Sequence, residues 1–306
     1  MRAAAAARLA LSLLIEPGDP RLRDLLVVHS PIRVLQALLA SEPLDGSALP
    51  ATWCERAGQL ERERDQVRNR AAHSGLRWVC PGDSQWPAQL ADLDHVEPLQ
   101  ETAGGPLGLW VRGAARLDRL ASRSVAVVGA RSCSTYGAEI AGEVAADLAS
   151  ADFTVVSGAA YGIDACAHRG ALVVDRPTIA VLACGADRVY PEAHAILLDR
   201  IVDEGGLVVS EQAPGAAPLR HRFLSRNRII AALTLGTTVV EAQLRSGSLN
   251  TLHWADLLGR TTTAVPGPVT SNRSAGVHAA VRAGKAVLVT SGQDVVEELA
   301  ALGMAG

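Results

Sequence analysis

Ser124 to Leu172 reads SVAVVGARSCSTYGAEIAGEVAADLASADFTVVSGAAYGIDACAHRGAL. Its first apolar run, Val125-Ala126-Val127-Val128, breaks at Gly129, and the polar loop Gly129 to Gly137 leads into an amphipathic run over Ala138 to Ser150. A second apolar run, Phe153 to Val156, stops at Ser157-Gly158 and has another helical pattern behind it. Parallel strands need a helix-length crossover between them, so this repeated strand, loop and helix predicts parallel pairing. The expected fold is α/β: an extended Rossmann-like, doubly wound, mostly parallel sheet. Ligands of such sheets lie beyond the carboxyl ends of the strands, where both glycine loops fall.

The alternation continues downstream. Strands are expected over Pro177–Leu182, Leu207–Ser210, Thr237–Glu241, Thr262–Val265 and Ala286–Val289, seven in all with the opening two. Helices are expected over Tyr190–Asp203, over Ser225–Leu233 with Ser225 as the N-cap, and over Gly247–Leu258. Upstream, residues 1–75 read as a small helical domain of the helix-hairpin kind. A single helical segment is expected over Ala48–Ser74, its charged run Glu61 to Asp65 forming a solvated face. Residues 76–123, broken by Pro81-Gly82, Pro98 and Gly104-Gly105-Pro106, read as a connector with one strand around Leu107–Val111. Residues 124–306 form the sheet domain.

Composition narrows the function classes. With 48% hydrophobic and 20% charged residues over 306 positions, the chain has the balance of a folded globular protein. A net charge of −3 excludes a surface basic all over, so any polyanion site is a local patch. Aromatic residues at 3% leave little for stacking platforms of the RRM or OB type. Cys54, Cys80, Cys133, Cys166 and Cys184 show no CxxC or Cys/His ligand spacing, so neither metal nor disulfide framework is expected, and a reducing compartment is. Arg8 interrupts the N-terminal apolar run and no span of membrane length follows, so the expected location is the cytoplasm.

The loops carry the chemistry. The Gly129 loop is not GxGxxG, and Ser157 stands where a dinucleotide fold has its acidic residue, so no cofactor is expected. What remains is a helix start with Arg131 and the hydroxyls of Ser132, Ser134 and Thr135, suited to an anion, or alternatively a tight turn with an exposed arginine. The second loop, Ser157 to Gly162, offers glycine backbone at Gly158 and the Tyr161 ring for a base. Asp164 and His168, four apart on the next helix, are placed to pair. Leu219 to Ile230, LRHRFLSRNRII, holds Arg220, Arg222, Arg226 and Arg228 without an acid, the concentration a phosphate-tracking patch requires; Arg228 is the one suited to a structural pair. Ser246-Gly247-Ser248 opens a third helix. Three such loops beside arginines describe a groove for repeated phosphates better than a pocket for one cofactor. Glu241 is the single carboxylate arguable as catalytic.

The motifs GAR (Gly129–Arg131), SGAAYGID (Ser157–Asp164), AH (Ala167–His168), RNRII (Arg226–Ile230), VVEA (Val239–Ala242), SGSL (Ser246–Leu249) and AVPG (Ala264–Gly267) occur in this order. Over Gly75 to Leu299 the chain thereby resembles the DNA-processing protein A family (DprA, or Smf). The resemblance implies an extended Rossmann fold that binds single-stranded DNA as a homodimer and loads RecA recombinase during natural transformation. It implies strand contacts at Gly129, Arg131, Ser157, Gly158, Arg226, Asn227, Ser246, Gly247 and Ser248; the residues themselves add Ser132, Tyr161 and Arg222. Two departures stand out: Tyr161 replaces an arginine common in the family, and the chain stops at Gly306 without a winged helix. The alternatives are a nucleotide N-glycosidic hydrolase acting through Glu241, which lacks the expected preceding glycine run, and a regulator that binds a small nucleotide.

Overall fold

The computed structural model describes residues 2–301 and 303. Among these the strands are β1 (Arg77–Val79), β2 (Leu109–Arg112), β3 (Ser124–Val128), β4 (Thr154–Ser157), β5 (Thr178–Leu182), β6 (Leu207–Ser210), β7 (Gly236–Val239), β8 (Thr261–Ala264) and β9 (Val287–Leu288). They form one sheet in the order β1-β2-β6-β5-β4-β3-β7-β8-β9. From β6 to β9 every pairing is parallel; β2 joins β6, and β1 joins β2, antiparallel. The sheet is doubly wound and mostly parallel, as expected.

Helices cover both faces. They are α1 (Arg2–Leu14), α2 (Pro20–Val28), α3 (Pro31–Ala40), α4 (Ala51–Ala57), α5 (Leu60–His73), α6 (Leu117–Ser122), α7 (Thr135–Ser150), α8 (Ile163–Val173), α9 (Ala195–Asp203), α10 (Arg220–Leu233), α11 (Gly247–Leu257), α12 (Ala275–Arg282) and α13 (Gly292–Ala301). Successive strand residues point to opposite faces. Ala126 and Val128 of β3 accordingly join a core with α10 and α11, while Val125 and Val127 join one with α7, α8 and α13. A strand buried on both sides needs a continuous apolar run, which is why SVAVV lacks alternation. On the second face, Leu182, Leu198 and Val208 share a third core with Leu11, Leu14, Leu38 and Trp53, so the N-terminal helices seat directly on the sheet.

Four expectations are corrected. The connector supplies two strands, not one, and they widen the sheet. Trp78 and Trp110 face each other across them, ring centroids 5.1 Å apart, and a run as short as Arg77–Val79 has no readable period. The segment expected as one helix over Ala48–Ser74 is two, parted at Gly58-Gln59. The run from Tyr190 begins as a 3-10 turn at Glu192–His194 behind Pro191, and α9 starts only at Ala195. Finally, α10 begins at Arg220, five residues before the expected N-cap. Ser225 lies inside it, its hydroxyl donating to the Arg222 carbonyl at 3.2 Å. The basic segment is the opening of a helix, not a loop.

Candidate functional site

β4, β5 and β6 extend to one side of β3, and β7, β8 and β9 to the other. The loops after β3 and β7 diverge at this reversal, the place where doubly wound sheets hold ligands. A cleft of about 220 Å³ opens there, bounded by Gly129, Arg131, Ala160, Phe223, Asn227 and Ser246–Ser248. The three small-residue loops expected to converge do so.

The first loop is held rigidly. Ser134 caps α7 by accepting the Gly137 N–H at 3.0 Å, and its hydroxyl donates to Glu241 Oε1 at 2.6 Å while its N–H donates to Oε2 at 2.9 Å. A Cβ on Gly137 would lie 2.4 Å from Glu241 Oε2, so only glycine lets the carboxylate reach the cap. Glu241 is 2% exposed with both oxygens engaged and does not border the cleft, an arrangement that ties down a loop rather than presenting a base to substrate. Arg273 Nε donates to the Ser132 carbonyl at 2.7 Å, leaving Ser132 exposed at the rim. Arg131 projects from this loop, its guanidinium carbon 4.7 Å from the centroid of the Phe223 ring.

The four arginines of the basic segment separate into distinct roles. Arg228 is fully buried and grips Glu211 with two bonds of 2.7 and 2.8 Å, as its candidacy for a structural pair anticipated. Arg222 was expected on DNA; instead its fork holds Glu16 at 2.7 and 2.9 Å, and it does not line the cleft. Arg226, also expected on DNA, borders the cleft but is 8% exposed and donates from Nη1 to the Val181 carbonyl at 2.6 Å. Burial pushes its pKa below the usual arginine value, with the Asp164 carboxylate opposing. A Cβ on Gly158 would sit 1.8 Å from Arg226 Nη1, so Gly158 is a space for this guanidinium rather than an approach for backbone to ligand. Arg220 alone is exposed and free of ion pairs among the described residues.

The second loop is also largely self-satisfied. The Ser157 hydroxyl, expected on phosphate, is buried and donates to the Val127 carbonyl at 2.7 Å. Asp164 and His168 do not pair. Asp164 accepts the Ala160 N–H at 3.3 Å, and burial raises its carboxyl pKa against the pull of Arg226. His168 Nδ1 bonds Thr178 Oγ1 at 2.8 Å, and that hydroxyl donates its one proton to the Val155 carbonyl, so Nδ1 carries the imidazole hydrogen. Burial pushes the His168 pKa down to about 3, keeping the ring neutral. Tyr161, by contrast, is 49% exposed, its ring standing edge-on to His194 at 4.9 Å.

At the third loop, Ser246 caps α11, accepting the Ser248 N–H at 3.3 Å and bonding the Ser248 hydroxyl at 2.8 Å. Asn227 is a brace: Nδ2 donates to the Gly247 carbonyl at 3.0 Å and to Asn250 Oδ1 at 3.2 Å, locking α10 to α11. Nothing lies within 4 Å of where a Gly247 Cβ would sit, so the helix start is open.

Sequence reading passed over Phe223, which borders both this cleft and a smaller apolar recess with Tyr161, Tyr190 and Pro191. The signal was present, since one of only two phenylalanines in the chain stands among arginines. Arg245, exposed beside the α11 cap and without an ion pair among the described residues, was passed over too. No group of acidic, histidine and cysteine side chains suited to a metal occurs among the described residues.

A solved structure of DNA processing protein A from Streptococcus pneumoniae superposes with a TM-score of 0.76 at 34% identity, covering 95% of this chain and 96% of that one. The protein of the same name from Helicobacter pylori, described for its single-stranded DNA binding mode, superposes at 0.61 with 25% identity over 74% and 97% of the two chains. A Mycobacterium tuberculosis DNA processing protein DprA is 46% identical over 247 residues, which are 80% of this chain but 63% of that relative. The chain thus spans under two thirds of the Mycobacterium relative's length. The model of the DNA recombination-mediator protein A family matches residues 77–300, from β1 through nearly all of α13, and the chain belongs to that family.

Proposed function

We propose that this chain is a non-catalytic binder of single-stranded DNA that passes the strand to RecA recombinase, acting as a cytoplasmic homodimer. The observation that carries the reading is Arg131 lying over Phe223 at the strand-order reversal. A guanidinium beside a half-buried ring at the cleft wall offers one phosphate contact and one stacking face, the repeating needs of a single strand. Across the cleft the open start of α11 leaves the Gly247 N–H for an anion, beside the Ser246 and Ser248 hydroxyls. Arg220 at the start of α10 and Arg245 beside the α11 cap add exposed charge, and Tyr161 gives a second ring. Glu241, engaged by Ser134, supports a site without a general base. No helix among the described residues is long and apolar enough to cross a membrane.

The test is fluorescence anisotropy with a long oligothymidylate, the corresponding duplex and a mononucleotide competitor at several salt concentrations. Binding that prefers the single strand, falls steeply with salt and ignores the mononucleotide is expected. Mononucleotide competition would instead favour a small-nucleotide regulator. RecA delivery is then read as the lag in RecA ATPase on strands coated with single-strand-binding protein; a lag unchanged by this protein refutes delivery.

The dimer is assigned to the β9 edge. Val287 and Leu288 are 46% and 49% exposed on the outermost strand, and an unpaired edge with apolar side chains is a template for a second chain. Leu288→Asp is expected to shift the protein to monomer in light scattering. A wild-type monomer, or a variant dimer, refutes this assignment.

A further inference from the structure

A cavity larger than the DNA cleft lies away from it. It measures about 570 Å³ and is enclosed by α1, α2, the 3-10 turn Ala88–Asp94 and the Ala103–Leu107 loop. That is within the range of about 300–1,000 Å³ usual for small-molecule sites. Its walls are mainly apolar, with Leu22, Leu26, Trp86, Leu90 and Leu107 among them.

Of the acidic and arginine side chains around this cavity, Arg8 alone has neither a hydrogen bond nor an ion pair among the described residues. Glu211 is held by Arg228, Asp19 by Arg21 at 2.6 Å, and Arg23 by Asp24 at 2.8 Å. Asp94 accepts the Gly105 N–H at 2.7 Å. Arg8 itself is half-buried on α1. Other inward-facing arginines show the contrast: Arg56 donates to the Leu13 carbonyl, and Arg77 to the carbonyls of Gly113 and Ala115. Partial burial lowers the Arg8 pKa, with Cys80 and Asp94 opposing, so a carboxylate drawn to this guanidinium would restore its charged form.

We propose that this cavity is a binding site for a small organic monocarboxylate with an apolar or aromatic body, its carboxylate forked by Arg8. One negative charge is the right number. A doubly charged phosphate would face Asp19, Asp94 and Glu211 around the same space, whereas a single carboxylate matches the planar guanidinium with two bonds. The apolar body fills the space between Trp86 and the leucines. Because α1 and α2 sit on the helical segment and the loop belongs to the connector, an occupant would bridge the two.

The probe is 2-naphthoate, titrated calorimetrically into the full chain, with 2-naphthalenemethanol as its neutral counterpart. Saturable binding at one site per chain is expected, tighter than about 1 mM. It should weaken at least tenfold in Arg8→Met and in the neutral analogue, and vanish in Leu26→Trp, which fills the cavity without touching the charge. Arg8→Met should keep or raise the Tm of the unliganded protein, and oligothymidylate binding should be unaltered in both variants, which separates this site from the DNA cleft. No binding to the wild type overturns the proposal, as does equal binding by both variants. A fall in Tm for Arg8→Met also overturns it, since Arg8 would then be a structural cation.

Discussion

Arg131→Ala is expected to weaken oligothymidylate binding about tenfold or more and to flatten its salt dependence. Each phosphate neutralised on a single strand contributes a slope of about −0.7 in log K against log salt, so losing one contact should lower the slope by about that much. Phe223→Ala is expected to weaken binding by a similar factor, because stacking one base on an aromatic ring is worth about 1–3 kcal/mol, while leaving the salt slope as it was. The two side chains touch, so their effects should not add: without the ring the guanidinium loses its rest, and without the guanidinium the ring keeps only its contact with Tyr190. Anisotropy titrations of both variants and the double variant at several salt concentrations give slopes and coupling together. Arg222→Ala is the control. Its fork is spent on Glu16, so it should leave the slope unchanged. An unchanged slope in Arg131→Ala removes that residue from the phosphate path.

Glu211→Gln is expected to be the most damaging single substitution outside the apolar core. It leaves the Arg228 guanidinium, fully buried, without its bidentate carboxylate. Removing one partner of a buried pair costs about 3–5 kcal/mol, against a total stability of about 5–15 kcal/mol. Urea unfolding followed by circular dichroism should show a lower midpoint with little change in slope. Joining Glu211→Gln to Arg228→Met should restore part of the loss, because no uncompensated charge remains. A single variant as stable as the wild type would mean that water reaches the pair. The same bond network steadies the site indirectly: Arg228 Nε donates to the Gly104 carbonyl at 3.0 Å, fastening α10, and with it Phe223, to the connector. Arg222 and Glu16 make the contrasting case, with side chains 14% and 37% exposed. Solvent screens that pair, so its contribution to stability is about 0–1 kcal/mol.

The α/β class, the parallel core strands and the three loops at their carboxyl ends were legible because the signals are local. Val125 to Val128 is apolar throughout since both its faces are covered, and Gly129 and Gly158 follow where strands end. The start of α10 was misread because Ser225 has N-cap chemistry, yet a helix opens on Leu219 without any side-chain cap when its later face is buried against the sheet. Here Ile229, Ile230 and Leu233 supply that burial. Packing outweighs one capping bond, which is worth about 1 kcal/mol.

What sequence by itself determined, then, is where a ligand can lie. Apolar period and crossover length set the sheet, and the sheet sets the rim. Which residues are free to meet a ligand there was decided only by tertiary structure. The partner of Arg222 lies 206 residues away, that of Arg226 lies 45 away, and that of Arg228 lies 17 away. Four arginines in a row look alike as charges. Folding desolvates three of them and satisfies each with a different oxygen, because a buried cation without a partner is too costly to keep. Arg131 faces solution because its loop is anchored through Ser134 and Glu241, and among the described residues its guanidinium rests only on the face of Phe223.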